Sequence, residues 1–94
     1  MTEMTKLEKM MVSLAQDALD EFELYSDTQG DTKAMDHDTR QFELIRCSSM
    51  LTAYCYPASL KDNGMTDLAI SELLAIEEKQ RLIMISASKQ NTSN

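Results

Sequence analysis

Tryptophan is absent from this chain, proline occurs once and glycine twice. An all-β chain needs many tight turns and draws on both small punctuating residues, so their scarcity points to helices. With three tyrosines and two phenylalanines, the core has to come from aliphatic side chains and the eight methionines. The longest strongly apolar run, "LIMI", has four residues, whereas a membrane-spanning helix takes about twenty. The opening "MTEMTKLEKMM" carries charge from its third residue and lacks the apolar stretch of a secretory signal. The chain is therefore expected to stay in the cytoplasm and away from membranes.

Chemistry-bearing motifs are equally sparse. Cys47 and Cys55, the only cysteines, would be separated on one helix by ~12 Å of rise. A disulfide needs Cα atoms within about 7 Å. Free thiols fit a reducing compartment, and apolar surroundings make such thiols unreactive. One histidine and two distant cysteines form a poor zinc set, so no metal or other cofactor is expected. His37 lies between Asp36 and Asp38, but helical neighbours in sequence do not face each other, and an exposed, incidental histidine is the simpler expectation. Glycine-rich phosphate loops, nucleophile elbows and HExxH patterns are missing. No catalytic residue is nominated, and the chain is not expected to be an enzyme.

What is present is helical periodicity. Ninety-four residues allow one domain. Met4, Leu7, Met11, Leu14, Ala18, Phe22 and Tyr25 recur at steps of three and four, predicting a helix over 3–25. Lys6, Glu8, Lys9, Asp17 and Asp20 fall on its opposite side, and "SDTQGDT" ends it, with Gly30 as the residue most tolerant of positive φ. A second helix, over 34–55, follows from Leu44, Cys47, Leu51 and Tyr54, capped by Asp38 with Gln41 or by Asp31 for an earlier start. "LTAYCY" also alternates as a short strand would, and Pro57 should stop a helix near Cys55. Thr66 reads as the cap of a third helix over 66–87, with Ala69, Leu73, Ile76, Gln80 and Ile83 inward and a Glu77–Arg81 pair outward. Residues 88–94 read as a polar, disordered tail. Together these segments predict an all-α antiparallel three-helix bundle.

The charge is unevenly placed. Between Asp17 and Glu43 stand nine of the sixteen acids but two of the nine bases, Lys33 and Arg40; the rest of the chain is balanced at seven each. Acids in the last turns of a helix oppose its dipole. Asp17, Asp20, Glu21, Glu23, Asp27 and Asp31 are therefore the candidate partner-binding residues of an acidic pole. Direct nucleic-acid binding requires basic clusters that this chain lacks. The expected function is a non-enzymatic interaction module. It would be a small inhibitor or regulator, of the kind found in phage and mobile elements, that binds a basic surface of a nucleic-acid-handling protein. The alternative is a homodimeric assembly factor or secretion-type chaperone that uses Leu82, Met84 and Ile85, apolar residues left over when one face of the third helix is packed.

Overall fold

The computed structural model describes residues 3–92, and among these it contains three α-helices and no strand: α1 (Lys6–Ser26), α2 (His37–Cys55) and α3 (Asp67–Thr92). The remaining two residues of the expected tail, 93–94, lie outside the described residues.

Each helix starts where a side chain satisfies its free N–H groups. α1 begins at Lys6 because Thr5 and Glu8 form a reciprocal box: the Glu8 N–H donates to Thr5 Oγ1 at 3.1 Å, and the Thr5 N–H to Glu8 Oε1 at 2.8 Å. α2 begins at His37 because Asp36, and neither Asp31 nor Asp38, accepts the Thr39 N–H, at 3.2 Å. It stops at Cys55 as Pro57 requires, and Tyr56–Ser59 make one 3-10 turn, so "LTAYCY" is helical. Asp62 and Gly64 in the next connector both adopt positive φ, 56° and 71°. Asn63 braces them by donating to Leu60 O at 3.0 Å and accepting the Met65 N–H at 2.8 Å. Thr66 caps α3 by accepting the Ala69 N–H at 3.2 Å. That helix continues to Thr92, so most of the segment expected to be a disordered tail is helical.

Small residues dominate the interior. Ala15, Ala18, Leu19 and Phe22 of α1 meet Cys47, Leu51 and Cys55 of α2 and Leu73 and Ile76 of α3. Alanine and cysteine let helix axes come close and leave few large side chains in the core.

The buried arc of α1 is turned relative to the expected stripe. Leu7 is 66% exposed and Leu14 42%, while Glu8, expected outside, is buried. Packing against two helices centres the arc on the alanines, and the start of α3 draws Glu8 inward. Phe42 and Ile45 of α2 are likewise 65% and 64% exposed. The molecule is a rod of 49 × 21 × 19 Å. Its 15.0 Å radius of gyration exceeds the about 12 Å of a compact chain this long. None of its helices is long and apolar enough to cross a membrane, among the described residues.

Candidate interaction surface

The loop between α1 and α2 holds the acidic end of the rod in shape. Three successive turns, Gly30 N–H to Asp27 O, Lys33 N–H to Gly30 O and Met35 N–H to Thr32 O, fold it back on itself. Asp27 Oδ1 accepts the Gln29 N–H at 3.1 Å. Gly30 does not take a positive φ, and a Cβ there would make the exposed Asp27 carboxylate turn aside.

At the centre is Arg40, 7% exposed. Its guanidinium donates to Tyr25 O at 2.7 Å, to Thr32 Oγ1 at 2.9 Å and to Thr32 O. The Thr32 hydroxyl in turn donates toward Leu24 O at 3.2 Å. Arg40 thus supplies a cation and hydrogen bonds at the carbonyl end of α1, where the helix dipole favours positive charge. Part of the cost of placing acids there is offset from inside.

Arg46 removes two acids from the pool. It donates through Nη2 to Glu43 Oε2 at 2.7 Å and to Glu21 Oε1 at 3.2 Å, joining α2 to α1. Its pKa is raised by Glu43 first and Glu21 second. Glu21, expected as a partner contact, is already engaged within the molecule.

The other candidates divide by position. Asp20, Glu23, Asp27 and Asp31 line one surface depression of about 410 Å3, with Leu24 and Gly30 between them. All four are exposed, and no lysine or arginine among the described residues forms an ion pair with them. Gln16 donates to Asp20 at 2.9 Å. Asp17 is exposed one turn earlier and stands outside the depression.

Leu82, Met84 and Ile85 are between 40% and 54% exposed, as the surplus of apolar residues in that run implies. Leu82 of this set meets the acidic candidates, while Met84 and Ile85 line neither of the two depressions between α1 and α3. Glu23 and Asp20 share a depression of about 200 Å3 with Leu82, Ile83 and Lys79. Glu23 and Asp27 share another of about 210 Å3 with Ile83, Ser86 and Ala87. Carboxylates and apolar side chains therefore border one seam between α1 and α3. The outward pair on α3 is Glu78–Arg81, three residues apart, and not Glu77–Arg81.

His37 lines, with Lys33 and Arg40, a separate depression of about 320 Å3, while the Asp36 carboxylate is committed to Thr39. Among the described residues, no three His, Cys, Asp or Glu side chains are grouped to hold a metal ion. Cys47 and Cys55 are fully buried free thiols; burial raises the first and pushes the second up to about 11.

Sequence reasoning missed three residues. Arg40 and Arg46 bear on the acidic end directly. Glu8 acts at the opposite end, where besides its own helix it accepts the Thr66 N–H at 2.7 Å and the Thr66 hydroxyl at 3.1 Å. The Thr5-x-x-Glu8 spacing signalled its local role; its second role joins positions 58 residues apart and leaves no local trace.

No protein-family model matches the chain, and no match is found among curated proteins or solved structures.

Proposed function

We propose that this protein is a non-enzymatic interaction module, built as an antiparallel three-helix bundle, whose acidic end docks on a basic surface of a partner. The observation that carries this is the joint exposure of Asp20, Glu23, Asp27 and Asp31 around one depression, unpaired after Arg46 has engaged Glu21 and Glu43. Four exposed carboxylates around one depression, with Lys79 beside the Asp20 and Glu23 end, steer cations toward themselves and repel nucleic acid. A protein that handles nucleic acid offers the complementary groove. Small inhibitors and regulators of phage or mobile elements work at this size and charge, a likeness of class alone.

The test is affinity capture from the native host with wild-type protein and a Asp20→Lys/Glu23→Lys/Asp27→Lys variant. The expected partner is released by duplex DNA and is not captured by the variant, whose helicity is unchanged. Capture of the same partner by both proteins contradicts the proposal.

A second function has its own support in the 40–54% exposure of Leu82, Met84 and Ile85. A homodimeric assembly factor or chaperone would cover them. It predicts a dimer in sedimentation that Leu82→Glu dissolves, with partner binding lost at the same time and the acid variants neutral.

A further inference from the structure

We propose that the seam between α1 and α3 receives an amphipathic helix of the partner, with lysine or arginine on one side and aliphatic residues on the other. The inference rests on the acidic end being a partner surface, and it specifies what that partner presents.

Glu23 borders three adjoining depressions: one with Leu82 and Ile83, one with Ser86 and Ala87, one with Asp27 and Asp31. A rim of carboxylates thus runs beside an apolar floor. A flat basic surface would meet the rim and leave the floor wet. An amphipathic helix fills both, since helix-in-groove recognition uses apolar anchors at steps of three and four with charges flanking them.

The spacing fits the same occupant. Asp20 and Glu23 lie one turn apart on α1 and Asp27 follows as its extended C-cap, so the three carboxylates are spread over ~10 Å along the seam. A helix lying alongside presents bases at that period. The carboxylates are not grouped to hold a metal ion, so several separate cationic groups suit them better than one. Lys79 lines the Asp20 end of the seam and sets direction: the partner's bases lie toward Asp27 and a neutral or acidic residue lies against Lys79. A second copy of this chain, with a net charge of −7, would bring carboxylates against carboxylates if the same faces met.

Two fluorescein-labelled peptides of equal composition, built from Lys, Leu and Ala, test this by anisotropy. One carries a stripe of Leu flanked by Lys along a helix; in the other they are scrambled around it. The patterned peptide is expected to bind at least about tenfold tighter, and Leu82→Ser to weaken it by about fivefold while leaving the scrambled peptide unaffected. Glu23→Lys weakens both. Equal affinity for the two peptides, or indifference to Leu82→Ser, overturns the seam while leaving the acidic docking surface standing if Glu23→Lys still weakens both. Binding of neither peptide also overturns the seam, and the capture experiment decides the docking surface independently. A wild-type dimer that excludes the patterned peptide and is dissolved by Leu82→Ser assigns the seam to a second copy and likewise overturns the proposal.

Discussion

Glu8 holds two helix starts at once. Its carboxylate completes the box of α1 through Thr5 and performs the same service for α3, whose own third position is Ala69 and has no acid to offer. The backbone N–H groups of Thr5 and then Thr66 hold its pKa below the ordinary 4.5, against the opposing effect of desolvation. Because the folded value is depressed, the unfolded chain binds the proton more readily. The stabilisation is complete above about pH 4.5 and is lost as pH falls through the folded value. The comparison that isolates this group is with Glu8→Gln. The melting temperature of wild type should exceed that of Glu8→Gln near neutrality, and the gap should close on acidification. A gap independent of pH would mean that the charge on Glu8 is not what joins the two helices. Other single residues were readable in advance for the same local reasons. Thr66 as a cap and Pro57 as a stop depend on backbone chemistry within four positions. The partnership of Glu8 with Thr66 depends on where two helices come to rest, and one sequence does not contain that.

At the level of the element, the number of helices and their order were legible because the steps of three and four are strong in α1 and α3. The face that each helix buries was legible for α3, where Ala69, Leu73 and Ile76 are inside, but only partly for α1. A stripe defined by Leu7, Met11 and Leu14 assumes that large apolar residues go inward. Here close approach through Ala15 and Ala18 decided the orientation, and Leu7 was left outside. Such a core depends on its few large members. Leu51 and Leu73 are the largest fully buried side chains, and truncating either opens a cavity between helices that cannot easily collapse onto alanines. Leu51→Ala should cost about 2–5 kcal/mol in urea unfolding, a large share of the ~5–15 kcal/mol typical of a domain. A cost under about 1 kcal/mol would place the stabilising contacts elsewhere.

On the scale of the whole molecule, Asp20, Glu23, Asp27 and Asp31 meet around one depression beside the α1–α2 loop of a rod 49 Å long. The excess of acid in residues 17–43 was evident from composition along the chain. Its internal division was not, because it depends on which arginine reaches which carboxylate: Arg46 takes Glu21 and Glu43, Arg40 takes backbone oxygens, and Asp20, Glu23, Asp27 and Asp31 remain. Nor did the sequence reveal that the apolar surplus around Leu82 borders the same carboxylates. Attraction between exposed charges is screened within about 8 Å at physiological ionic strength, and complementary fields act mainly on encounter rate. The most direct measurement is the association rate of the captured partner as a function of salt, for wild type and for Asp20→Lys/Glu23→Lys/Asp27→Lys. A steep fall with salt for wild type and a slow, salt-insensitive rate for the variant are predicted. Equal rates for the two proteins, flat across the salt range, would contradict the acidic end as the docking surface.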